Sequence, residues 1–235
     1  MVLAILQARM SSTRLPGKVM RPILGQPMIA RQIERLRRAR RLSGVMVATS
    51  TDASDDVIEA WSRSNGLGVW RGPLNDVLAR FVGALEAAGT PKTFVRLTAD
   101  CPLADPALID ACIASHAASG ADYTHNTPDW TYPKGLDVEV CETAALMRAA
   151  RESADPYDHE HVTPYIYRHP ELFRLNRVTR DPPLRYRWTV DTPEDFAFVT
   201  AVYDALYPGK PDFDTADILA WQDAHPDQVL PNAVS

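Results

Sequence analysis

Between Arg9 and Lys18 the chain packs three cations, three hydroxyls and a Pro-Gly pair into the stretch RMSSTRLPGK. Like charges crowded on a short loop repel one another, so the cluster is best tolerated with an anion among them. The apolar run VLAILQ leads into it and an amphipathic run beginning near Pro27 follows. The loop therefore sits where a strand turns towards a helix, a place where backbone N–H groups and cations hold phosphate in α/β proteins. Arginine forks hydrogen bonds onto phosphate oxygens and lysine acts as a point charge, so Arg9, Arg14 and Lys18 together suit a triphosphate. Ser11, Ser12 and Thr13 add hydroxyl donors with no capping duty to explain them. The pattern is not a Walker A loop: Val19 follows Gly17-Lys18 and the earlier glycine is missing.

Two carboxylates could face such a site. In VRLTADCPLADP, Asp100 follows an apolar run and precedes Cys101-Pro102, which places it at the carboxyl edge of a sheet. Asp105, directly before Pro106, reads as the N-cap of the next helix. In YRWTVDTPEDF, Asp191 ends a strand-like run ahead of Pro193, and both capping and ligand binding fit it. A pair of strand-terminal aspartates beside phosphates suggests Mg2+, which takes one or two carboxylates and completes its shell with phosphate oxygens and water. Other clusters have ordinary explanations. His159 and His161 are two apart, face opposite ways on a helix and lack further zinc ligands. Arg31, Arg35 and Arg38 form the solvated face of a helix, and the acids of SDDVIEA cap another.

The elements that must position these groups follow from periodicity. VLAILQ, GVMVATS, LGVWRG, TFVRLT, ADYTHN, LDVEV, FRLNRV and YRWTVD read as strands. Apolar residues three and four apart mark helices in PMIARQIERLRRAR, SDDVIEAWSRS and NDVLARFVGALEAAG. Such alternation predicts an α/β fold, a mostly parallel sheet with helices on both faces and its ligand beyond the carboxyl ends of the strands. The Pro-rich, aromatic stretch HNTPDWTYPKG predicts a long loop or the base of a small subdomain. A length of 235 residues suits one domain. The net charge of −5 gives no general attraction to nucleic acid or anionic membrane. No apolar run approaches a membrane span and no leader-like segment stands out, so a cytoplasmic protein is expected. Cys101, Cys112 and Cys141 form no paired motif, which predicts reduced, buried thiols.

Taken in order, QARMSSTRLPGKVMRPILGQPMI, VATS, WRGPLNDVLARF, VRLTADCPLADP, TYPKGLDVEV, EHVTPYIYRHP and RWTVDTPEDF resemble the cytidylyltransferase family that includes CMP-KDO synthetases and acylneuraminate cytidylyltransferases. The likeness spans nearly the whole chain and is strongest to the branch of spore coat polysaccharide biosynthesis protein F. It implies the Rossmann-like fold of nucleotide-diphospho-sugar transferases, one nucleotidyltransferase domain over 1–235, and a small subdomain or dimerisation segment within 123–180 of a homodimer. It implies that Arg14 and Lys18 contact the phosphates of CTP while Gln7, Ala8, Arg9, Ser11 and Ser12 lie against the nucleotide. By the same resemblance Arg71 lies near the cytosine, Asp100 and Asp191 hold Mg2+, and His161 faces the acceptor, with Arg14, Lys18 and Asp100 catalytic. The implied reaction is transfer of CMP from CTP to a sugar or sugar acid with release of pyrophosphate, in surface polysaccharide biosynthesis. Ala99 stands where the family usually has glycine, and Asn126 to Lys134 departs from the sugar-acid synthetases. A nucleotide-sugar glycosyltransferase would want D-x-D at its metal, whereas four residues separate the acids of ADCPLAD. A non-catalytic nucleotide-binding protein would be expected to lack Lys18 or Asp100, and both are present.

Overall fold

The computed structural model describes residues 2–127 and 130–228. The first half alternates β1 (Val2–Gln7), the short pair β2 (Pro22–Ile23) and β3 (Gln26–Pro27), α1 (Met28–Leu36), β4 (Leu42–Ser50), α2 (Asp56–Ser64), β5 (Gly68–Gly72), α3 (Val77–Ala87) and β6 (Thr93–Thr98). The second half holds α4 (Pro106–Ser119), β7 (Tyr123–His125), β8 (Glu139–Glu142), α5 (Thr143–Glu152), α6 (Pro156–His161), α7 (Pro164–Arg168), β9 (Leu175–Arg177), α8 (Pro193–Leu206) and α9 (Thr215–Ala224). Seven strands make one sheet in the order β5-β4-β1-β6-β8-β7-β9, with only β8 running against its neighbours. Residues 123–180 thus add three strands to the same sheet. The expected α/β architecture is present.

Alternation along each strand feeds two cores. Ala4 and Leu6 of β1, Val47 of β4, and Val95 and Leu97 of β6 pack with α1, α4, α8 and α9 on one face. Ile5, Ala48 and Phe94, one residue out of step, pack with α3, α5 and α7 on the other. Full burial of each large apolar side chain contributes roughly 1.5–3 kcal/mol. The strands are held from both sides, so their carboxyl ends form a fixed edge.

Several local expectations need correction. Residues 186–191 are not a sheet strand: Arg187 makes an isolated bridge to Lys134, with Lys134 N donating to Tyr186 O and Trp188 N to Lys134 O. Gly135 allows this approach, because a Cβ there would stand 2.5 Å from the Thr189 nitrogen. Asp105 caps α4 as expected, accepting from Ala107 N and Leu108 N. Asp191 does not cap α8; Thr192 does, in a capping box with Asp195. Arg31 and Arg35 are buried rather than solvated. Arg31 donates to the Ile23 and Leu24 carbonyls, and Arg35 to Ala104 while lying over Phe213.

Candidate active site

The loop after β1 is folded onto itself and then pinned from below. Ser12 N and Gly17 N both donate to the Met10 carbonyl, and Lys18 opens a short 3-10 turn. Asp55, a cap of α2 by its position in the sequence, is wholly buried and accepts from Met10 N at 2.7 Å, Ser50 N at 3.0 Å and the Ser50 hydroxyl. Its charge therefore fixes the loop to the end of β4. Asp52 caps the turn before α2 instead, through Ser54 N.

Lys18 stands at the centre of the edge. Its buried Nζ donates to the Val190 carbonyl at 2.6 Å and to Asp191 Oδ1 at 3.1 Å, and lies 3.5 Å from Asp100 Oδ2. Val190 N in turn donates to the Asp100 carbonyl at 2.8 Å, tying the segments that carry the two aspartates. Arg14 and Arg187 add contacts to Asp191 Oδ2 at 3.1 and 2.9 Å. Burial would raise the Asp191 carboxyl, but the Lys18 charge and the hydrogen bonds from Lys18 and Arg187 outweigh it and hold the group below its ordinary value. Two carboxylates converge on one cation here. That oxygen donor set fits a hard divalent ion completed by phosphate and water, and no group of three or more such side chains occurs among the described residues.

The cleft above this edge has a volume of about 270 Å³, and of the residues that the sequence assigns to the site all line it except Ser11 and Arg71. Ser11 is exposed on the loop. Arg71 is fully engaged elsewhere: it donates to the Ser50 and Asp52 carbonyls and pairs with Asp56 at 2.6 Å and Glu59 at 2.8 Å. These contacts raise its pKa and tie β5 to the start of α2. Arg71→Ala should therefore lower the melting temperature by about 2–4 °C without altering nucleotide preference. Differential scanning fluorimetry beside nucleotide titration checks both halves.

Sequence reasoning missed Arg80 and Arg96, which also line the cleft. Each is a charged residue at a position whose neighbours are core, Val77 and Phe81 around one and Val95 and Leu97 around the other. Arg96 crosses three strands, donating to Gln7 on β1 at 3.0 Å and to Glu139 on β8. With His161 it also borders a second hollow of about 420 Å³ over β7 and β9, walled by Tyr123, Tyr167 and Trp130. Burial, with the Asp100 and Glu139 charges near it, pushes the Asp137 carboxyl up to about 7. A larger hollow, about 610 Å³, lies at the opposite ends of the strands around Val2, Thr93 and Glu142. It is far from the loop and the aspartates, so chemistry outweighs size in locating the site.

Of the three histidines near α6 and α7, His169 faces the Tyr165 carbonyl and His161 the cleft. His159 Nδ1 lies 3.0 Å from Asp76, the N-cap of α3, and joins the two helices that border the cleft. The hydrogen bond to Asp76 raises its pKa above 6.5. A raised folded-state pKa means that this pair stabilises the fold below the unfolded value and ceases to do so as pH rises through the folded one. Asp76→Asn keeps a good cap but removes the charge. Melting curves from pH 5.5 to 8.5 should show a smaller decline with rising pH in that variant than in the unsubstituted protein.

A parallel-sheet edge bearing a cationic loop opposite two aspartates has the make-up of a nucleotidyltransferase-like α/β protein. A cytidylyltransferase family model matches residues 3–204, and the chain belongs to that family. It is 36% identical over 235 residues to the spore coat polysaccharide biosynthesis protein SpsF of Bacillus subtilis (strain 168), covering 96% of this chain and 95% of that one. A cytidylyltransferase structure from Leptospira borgpetersenii serovar Hardjo-bovis (strain JB197) superposes with a TM-score of 0.92 at 27% identity, over 100% of this chain and 98% of the other. The CMP:2-keto-3-deoxy-manno-octonic acid synthetase complexed with CTP shares the fold, with a TM-score of 0.62 at 17% identity over 86% and 98% of the two chains.

Proposed function

We propose that the cleft binds CTP with its phosphates on the loop from Ala8 to Lys18, and that CMP is transferred to a hydroxyl of a sugar or sugar acid held in the adjoining hollow. The observation that carries this reading is Lys18 Nζ set between Asp100 and Asp191 beneath the loop. The hydroxyl attacks the α-phosphate in line and pyrophosphate leaves, a reaction governed by positioning and charge neutralisation. Lys18 and Arg14 offset the charge growing on the departing pyrophosphate. Arg96 and His161, shared by both cavities, orient the acceptor. Asp100 and Asp191 would hold Mg2+, which when bound neutralises phosphate charge and lowers the pKa of a coordinated hydroxyl. The similarity to the Bacillus subtilis protein supports a place in surface polysaccharide biosynthesis, and among the described residues no helix is long and apolar enough to cross a membrane.

Incubation with each of the four nucleoside triphosphates, Mg2+ and a panel of sugars and sugar acids, followed by pyrophosphate release, tests the reading. CTP should also raise the melting temperature more than ATP, GTP or UTP, since a ligand bound only by the native state stabilises it by mass action. Equal shifts for all four would remove the cytidine assignment. Full turnover in excess EDTA would remove the metal.

A further inference from the structure

A buried cation that no carboxylate pairs with among the described residues stands on one wall of the cleft. Arg80, in the first turns of α3, is 1% exposed. Its Nε donates to the Pro73 carbonyl at 3.0 Å, and its Nη2 to Pro73 and Leu74 at 2.8 and 2.7 Å. Gly72 permits this clamp, because a Cβ there would stand 2.9 Å from Arg80 Cγ. Among the described residues Nη1 has no hydrogen-bond partner and no carboxylate reaches the guanidinium. Asp55 and Asp76 act on it at longer range only, against burial and the opposing charge of Arg9. The carbonyl bonds occupy Nε and Nη2 and leave Nη1 for a ligand acceptor at this wall of the cleft. The other buried arginines differ: Arg31 has Glu34 and Arg35 lies over Phe213, outside the cleft.

Strand order says which part of the ligand arrives there. Along the carboxyl edge the sequence in space is β5, β4, β1, β6, β8. The segment after β5 carries Val77 and Arg80, the cationic loop follows β1, Asp100 follows β6, and the second hollow lies on the β8 side. With the phosphates between Lys18 and Asp100 and the acceptor beyond them, the nucleoside extends the other way, towards Val77 and Arg80.

We propose that Arg80 is the residue that reads the base: Nη1 donates to N3 of cytosine, while the Pro73 and Leu74 carbonyls hold the guanidinium in place. This rests on the CTP reading above and adds the means of selection. Uracil presents N3–H at the same edge, which would leave a buried donor facing a donor.

Calorimetric titration of CTP and of UTP, each with Mg2+, into the unsubstituted protein, Arg80→Ala, Arg80→Lys and Arg71→Ala decides it without knowledge of the acceptor. The unsubstituted protein and Arg71→Ala should bind CTP more tightly than UTP. Arg80→Ala should weaken CTP by roughly tenfold or more and bring the ratio of the two dissociation constants towards one. Arg80→Lys keeps the charge without the donor that the carbonyl clamp fixes in place, so it should narrow the ratio too, and it carries the test if the alanine variant does not fold. Loss of both nucleotides with the ratio preserved would mark Arg80 as a scaffold residue and overturn the proposal. A ratio unchanged in both variants overturns it as well, leaving the CTP reading intact. Equal binding of CTP and UTP by the unsubstituted protein removes the CTP reading and the proposal together.

Discussion

Lys18→Ala should lower kcat by roughly 100-fold or more, the loss that follows removal of one preorganised electrostatic contact. The side chain is buried, and its Nζ is the group on which the Val190 carbonyl, Asp191 and Asp100 converge. Deleting it removes a point charge from beneath the phosphates. It also leaves two carboxylates facing each other and a carbonyl without its donor. Arg14 cannot compensate, because its side chain is 61% exposed and its charge is screened by water. Some stability should go as well, about 1–3 kcal/mol for the orphaned partners, so turnover must be compared at a temperature where both proteins are folded. Lys18→Arg should recover little, since a planar fork does not fill a position shaped for an ammonium. Pyrophosphate release by folded Lys18→Ala at near the unsubstituted rate would make Lys18 a structural cation only.

The expectation for Lys18 was legible because its loop is odd: an apolar strand followed by a crowd of cations and hydroxyls has few structural reasons to exist. The parallel half of the sheet was legible for the opposite reason, since alternating strands and helices are local patterns. What stayed hidden was non-local. Nothing in LDVEV says that it runs antiparallel to β6, and YRWTVD is apolar enough for a strand yet lies against Gly135 outside the sheet. Arginines were the least readable residues. Arg31 and Arg35 sit at surface-like positions of a helical pattern but bend their stems inward to carbonyls at Ile23 and Ala104. Arg71 and Arg80 were hidden for a similar reason: Asp56 and Glu59 capture the first, and among the described residues the second is held by the Pro73 and Leu74 carbonyls. Sequence shows a charge; only the fold shows its partner. Asp55 is the same case among acids, a helix-start residue by position and the anchor of the loop by contact.

Asp191→Asn separates two readings that the sequence left level. If Asp191 served only to start α8, its replacement would cost about 1 kcal/mol and leave turnover alone. The geometry points elsewhere, because Thr192 and Asp195 supply the capping box and an amide at 191 leaves that box whole. What the substitution removes is a negative charge shared by Lys18, Arg14 and Arg187. Turnover should therefore fall by roughly 100-fold while helix content is unchanged, as circular dichroism would record. Stability carries a second signature. The Asp191 carboxyl is held below its ordinary value of about 3.8, so its ion pairs stabilise the fold above that pH and are lost as pH falls through the lower, folded-state value. The melting-temperature gap between the unsubstituted protein and Asp191→Asn should be open at pH 7 and close as acid protonates the carboxylate. A gap that stays constant from pH 7 down to the acid limit, with turnover retained, would mean that Asp191 neither balances the cations nor serves the reaction.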